Sequence, residues 1–136
     1  MNYNFDACAL IAFLNDEEGA DAIEKILTQS SANDDTLSMS VINLLEVYYA
    51  ELRDKGSDIA QVVLDMAHHY SIKIVDTVSE QAFKEAARLK AAYKMSLADC
   101  IGLATTLETS SQFVTSDHHE FDTVAEKEAF PIFWFR

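Results

Sequence analysis

Tyr3-Asn4-Phe5-Asp6-Ala7-Cys8-Ala9-Leu10-Ile11-Ala12-Phe13-Leu14 is an apolar run carrying a single charge. Residues 3–5 read as a short strand that ends at Asp6, and 8–14 as a short apolar segment. A second stretch repeats the arrangement. Gln112-Phe113-Val114-Thr115 reads as a strand, with Asp117 just beyond it. Between the two, helical and strand patterns alternate. An amphipathic helix is predicted over 16–29, with Ala20, Ile23, Ile26 and Leu27 on one face. A strand follows at 36–39, then a helix from 41 to about 54, opened by Ser40 and closed by Gly56. Further helices are read at 58–69, at 79–94 with Ala82, Phe83, Ala86, Leu89 and Tyr93 on the inward face, and from Ser96 to about Leu107, with strands at 72–75 and 132–135. Strands alternating with helices indicate an α/β fold with a mainly parallel sheet. In such sheets ligands bind beyond the carboxyl ends of the strands, which is where Asp6 and Asp117 lie.

The 136 residues suit one domain, 1–136, and no linker or repeat divides them. About half the residues are apolar (49%), which is a globular composition. No apolar run is long enough to cross a bilayer and the first residues lack a basic-then-apolar leader, so no membrane partner is expected. Cys8 and Cys100 are the only cysteines, and reduced thiols in a cytoplasmic protein are the simpler reading. Asp and Glu total 23 against 10 Lys and Arg, a net charge of −13. That argues against loose, charge-driven binding of nucleic acid.

Four carboxylates keep unusual company. Asp6 and Asp99 are each the only charge in an apolar segment, and Glu46 lies in Val41-Ile42-Asn43-Leu44-Leu45-Glu46-Val47-Tyr48-Tyr49, apolar nearly all round. Asp117 follows a strand. Each has an ordinary structural role open to it: a helix cap for Asp6, a rim position or a lysine partner for Glu46, a capping box with Ser96 for Asp99, a turn for Asp117. Together they would repel, unless something positive sat among them. Carboxylates without a Cys/His set suit a hard ion such as Mg²⁺ or Mn²⁺. The matching chemistry is metal-assisted phosphodiester hydrolysis.

The ordered set Asn4-Phe5-Asp6-Ala7-Cys8, Ser40-Val41-Ile42-Asn43-Leu44-Leu45-Glu46-Val47, Ser96-Leu97-Ala98-Asp99-Cys100-Ile101 and Val114-Thr115-Ser116-Asp117 resembles the PIN-domain ribonucleases, and within them the VapC-like toxins of toxin–antitoxin pairs. The resemblance covers essentially the whole chain. It implies a three-layer α/β/α domain with a central, mainly parallel sheet. It implies a Mg²⁺- or Mn²⁺-dependent endoribonuclease acting on RNA, a cognate antitoxin protein as partner, and a homodimer. By position, Asp6 and Asp99 match the main metal ligands, Asp117 a further one, and Glu46 an acid acting through water or activating the attacking hydroxide. Asp122 matches a position that is a fifth acid in some members. Thr115 or Ser116 would hold a metal-bound water. Cys8 stands where a small hydroxyl residue is common. Arg53, Lys55, Arg88, Lys90 and Lys94 are the cations available to follow an RNA backbone. His118 and His119 read as exposed turn residues, His68 and His69 as a helix end, and the aromatic tail Phe130, Phe133, Trp134 and Phe135 as a core strand or dimer surface. Two other functions fit the acids. One is a non-catalytic protein whose acidic groove holds a basic peptide. The other is a metal phosphohydrolase for a small phosphate ester, for which three glycines supply no phosphate loop.

Overall fold

A computed structural model describes residues 1–136. Five strands form one sheet, β1 (Asn2–Phe5), β2 (Thr36–Ser40), β3 (Lys73–Val75), β4 (Gln112–Thr115) and β5 (Ile132–Trp134). Their order is β3-β2-β1-β4-β5, and every pairing is parallel. Seven helices connect them: α1 (Ala7–Leu14), α2 (Ala20–Gln29), α3 (Val41–Lys55), α4 (Ser57–His69), α5 (Glu80–Ala92), α6 (Leu97–Glu108) and α7 (His118–Lys127). The helices cover both faces, which makes the three layers expected.

The period-two alternation of the strands assigns the faces. Phe5, Leu37, Met39 and Val114 join α1 to α4 in one apolar cluster. Phe113 enters the other, among Leu89, Leu103, Phe121 and Val124 of α5, α6 and α7. Asn4 and Ser38 face the α6 side as well, and Asn4 is fully buried. Its Nδ2 donates to the Gly102 carbonyl at 3.2 Å and to Thr106 Oγ1 at 2.8 Å. Those bonds dock α6 onto the centre of the sheet. The chain lays β1, β2 and β3 outward in one direction, then returns to place β4 and β5 on the other side of β1. The reversal opens a crevice beyond the carboxyl ends of β1 and β4.

Four local expectations change. The helix expected from 16 begins only at Ala20. Gly19 adopts φ +86, and a Cβ there would stand 2.7 Å from the Phe135 ring. Arg136 Nη1 also donates to the Glu18 carbonyl, so the C-terminal residues hold 17–19 out of the helix. Helix α3 is not buried all round: Leu45, Tyr49 and Leu52 are 56%, 51% and 42% exposed. The buried side runs through Asn43, Leu44, Val47 and Glu51, a stripe too narrow to include them. On α5, Ala82, Ala86 and Leu89 are buried as expected, but Phe83 is two-thirds exposed. Finally, the residues after Asp117 form a helix, α7, where a polar turn was read.

Candidate metal centre

Asp6 leaves β1 still in an extended conformation, φ −73 and ψ 158, and caps α1. Its position after Asn4 in the alternation turns it toward α6. The carboxylate is held on three sides. Oδ1 accepts from the Ala7 amide at 2.8 Å. Oδ2 accepts from Thr115 Oγ1 at 2.7 Å and from Cys8 Sγ at 3.3 Å. The side chain is nearly buried. Burial raises its pKa to about 6, against the lowering effect of those hydrogen bonds, and Glu46 adds a smaller upward push.

Asp99 enters from the first turn of α6. Ser96 Oγ accepts from the Asp99 amide at 3.1 Å, half of the capping box expected. The other half is taken by a different residue. Glu120 of α7 accepts from the Ser96 amide through Oε2 at 3.3 Å. The Asp99 carboxylate is thereby left for the crevice. It is 8% exposed. Burial first, then Asp6, Glu120 and Glu46 raise its pKa to about 7. No lysine, arginine or histidine side chain forms an ion pair with Asp6, Glu46 or Asp99.

Glu46 reaches the same place from α3, with Asn43 Nδ2 donating to its Oε1 at 2.9 Å. Asp117 stands at the end of β4 and caps α7, its Oδ1 accepting from the Glu120 amide at 3.1 Å. The Asp117 amide donates to Thr115 Oγ1 at 3.1 Å. Thr115 is fully buried, and its hydroxyl is committed between Asp117 and Asp6. It orients Asp6, and its own proton is engaged there. Asp122 stands apart: it lies on α7, half-exposed, against His118 Nδ1 at 2.8 Å. That pairing holds His118 protonated to a higher pH than usual. His118 is no free turn residue either. Its ring stacks on Trp134 at 4.0 Å, and Nε2 meets the Arg136 carbonyl at 3.0 Å.

Cys8 does much of the work a hydroxyl would do beside Asp6. Its thiol touches Asp6, lies 3.4 Å from Thr115 Oγ1, and accepts from the Ser116 amide at 3.4 Å. Burial and the neighbouring Asp6 push the thiol up to about 12, so it stays a neutral donor and not a nucleophile.

Glu120 is the acid that the sequence reading passed over. Asp117-His118-His119-Glu120-Phe121 has the cap-x-x-Glu spacing of a helix start, and that signal marks both α7 and the glutamate. The cations are less available than expected. Arg53 pairs with Asp54, Lys55 with Glu51, and Arg88 with Glu85 and Glu128. Lys90 Nζ donates to the Met95 carbonyl at 2.7 Å, beside the start of α6. Lys94, in the same connection, is exposed and forms no ion pair.

The arrangement fits a hard divalent cation. The donors are carboxylates alone, and the two most buried have no positive side chain to balance them. No three acids, histidines or cysteines close around one point as a finished cage. An ion held by one or two carboxylates and otherwise by water needs no such cage.

A family model for the PIN domain matches residues 3–127. Among solved structures, the chain superposes on VapBC from Salmonella typhimurium, solved bound to DNA, with a TM-score of 0.75 at 15% identity, covering 100% of this chain and 99% of that one. VapBC2 from Rickettsia felis, bound to a DNA fragment from its promoter, gives 0.74 at 20% identity over 90% and 92%. The sarcin–ricin loop cleaving toxin VapC20 of Mycobacterium tuberculosis gives 0.67 at 14% identity over 94% and 95%. At these identities the likeness is one of fold. No curated protein matches the sequence.

Proposed function

We propose, from the premise that this chain belongs to the PIN domain family, that it is a Mg²⁺- or Mn²⁺-dependent endoribonuclease and the toxin of a toxin–antitoxin pair. The supporting observation is the Asp6–Asp99 pair: two buried acids acting on one another, with no protein cation between them. A divalent ion held by these acids would supply Lewis acidity toward the attacking water and the scissile phosphate.

Asp6 and Asp99 are the direct holders of the ion. Thr115, Cys8 and the Ala7 amide fix Asp6 against rotation. Glu46 orients or deprotonates the attacking water from the α3 side, and Asp117 orients water from the end of β4. Asp122, half-exposed and engaged by His118, is assigned no part in this. Lys90 and Lys94 border the site at the start of α6 and meet the RNA backbone. The net charge of −13 supports the partner assignment: a cognate antitoxin covers the acidic crevice with a basic segment. A second copy of the chain covers the apolar stripe on α3.

The test is incubation with total cellular RNA in Mn²⁺, Mg²⁺ or EDTA, beside a folded Asp99→Asn variant. Discrete fragments that require metal and disappear in the variant are the expected result. Metal-independent cleavage, or cleavage undiminished by Asp99→Asn, rejects the mechanism. The competing reading, a crevice that only binds a basic peptide, predicts partner affinity untouched by EDTA and no cleavage at all.

A further inference from the structure

Asn43 is out of place where it stands. It is fully buried on the inner side of α3, beside Leu44 and Val47. Asparagine is a poor residue for a helix interior, because its amide competes with the backbone. A buried amide also loses its water, and it recovers that loss only through hydrogen bonds.

Only half of the group is satisfied. Nδ2 donates to Glu46 Oε1 at 2.9 Å. Oδ1 is buried and accepts nothing. It rests instead against the backbone of α6, where a Cβ on Gly102 would come within 2.5 Å of it. Gly102 is therefore the space that the amide occupies at the α3–α6 crossing, and α6 itself is tied to β1 by Asn4. Turning the amide over would set its oxygen against the Glu46 carboxylate. The orientation with the donor toward Glu46 is thus the one that avoids repulsion. Residues three apart on a helix face one another, so the bond is short-range and rigid.

We infer that Asn43 is a positioning residue for Glu46, a buried amide wedged against Gly102 that aims the glutamate's carboxylate at the Asp6–Asp99 pair. The inference rests on the metal-dependent reading above. A glutamate has three side-chain torsions to fix, and one that lies at a partly open rim is otherwise free to swing outward. Asn43 limits that swing from the side shielded from water. Partners of this kind behind an ion-facing carboxylate typically change metal affinity 10–100-fold when they are removed.

Mn²⁺ titration of the full chain tests this by a double-mutant cycle of Asn43→Ala, Glu46→Ala and the pair, with folding checked by circular dichroism. Asn43→Val, close in size and without the amide, is added in case the alanine variant fails to fold. Each Asn43 substitution alone should weaken Mn²⁺ binding about 10-fold or more. In the Glu46→Ala background the same substitution should add almost nothing, because the group it acts through is gone. Equal losses in both backgrounds, or no loss in the single variants, overturn the role of Asn43 and leave the metal-dependent reading standing. Failure of the unsubstituted protein to bind Mn²⁺ overturns both.

Discussion

The Asp6–Asp99 pair should make the metal-free protein less stable as pH rises, which is opposite to the usual behaviour of an aspartate in a folded protein. Burial, Asp6 and the flanking acids lift Asp99 from 3.8 to about 7. A carboxyl that binds its proton more tightly folded than unfolded gives the folded state the larger number of bound protons between those values. The slope of unfolding free energy with pH is then negative across that window. The contribution is fully present below 3.8 and is lost as pH climbs through about 7. For Asp99 alone the difference between pH 5 and pH 8 comes to about 2.5 kcal/mol. Asp6, raised to about 6 for similar reasons, adds in the same direction. The assay is urea unfolding in EDTA from pH 5 to pH 8, beside Asp99→Asn. The variant carries no titrating group at 99, so its curve should be flatter, and at pH 8 it should exceed the unsubstituted protein by about 2–4 kcal/mol. The slope from the exposed His118, whose pKa is raised by Asp122, is common to both proteins and cancels. Added Mn²⁺ should stabilise the unsubstituted protein at pH 8 and leave Asp99→Asn almost unchanged. A stability that is level or rises over this range, or an Asp99→Asn protein weaker at pH 8, would refute the claim that these acids face one another without a counter-charge.

Three further outcomes follow from the packing. Gly102→Ala forces a methyl to within 2.5 Å of Asn43 Oδ1. The overpacking should outweigh the gain in helix propensity and lower stability by about 1–3 kcal/mol in thermal or urea unfolding; a variant at least as stable as the parent contradicts a tight α3–α6 crossing. Cys8, held as a neutral thiol with its pKa pushed up to about 12, should react with a disulfide reagent at pH 8 far more slowly than an unfolded control, and Cys8→Ser should retain RNA cleavage within about tenfold, since a hydroxyl can donate to Asp6 in its place. Leu45→Lys with Tyr49→Glu, placed on the uncovered stripe of α3, should lower the mass in light scattering from that of the proposed dimer to that of a monomer without loss of helicity; an unchanged mass contradicts a second copy on this stripe.

Asp6 and Asp99 are legible as buried acids because each interrupts a hydrophobic run, and such a run reports burial before any coordinates exist. The parallel α/β order was legible for a related reason: the strand at 112–115 and the helix opened by Ser96 carry strong local signals. What sequence did not disclose depends on proximity between distant segments. Nothing local shows that Glu120 takes the Ser96 amide and so leaves the Asp99 carboxylate to the crevice. Nothing local shows that Asn43 lies against Gly102 rather than in solvent. The stripe of Leu45 and Tyr49 was misjudged because an apolar residue looks the same whether the domain's own core or a second chain is to cover it. Helix α7 is a different matter. Its Asp-x-x-Glu start is a local signal, obscured by the adjacent histidines.

The position of β4 has a consequence for how the protein comes into being. Although β4 is made late, it pairs directly with β1 near the middle of the sheet. The bond from Thr115 to Asp6 joins residues 109 positions apart. At about 5–20 residues per second, translation takes roughly 5–20 s to bridge that interval. Through most of elongation the nascent chain carries Asp6 without Asp99, Asp117 or the hydroxyl that orients it. If the proposed nuclease activity is assembled in this order, no RNA near the ribosome can be cut until most of the chain has emerged. The first half of the sheet, β1 to β3 with α1 to α4, is meanwhile already synthesised, and the proposed protein partner would meet that half before the acidic crevice exists.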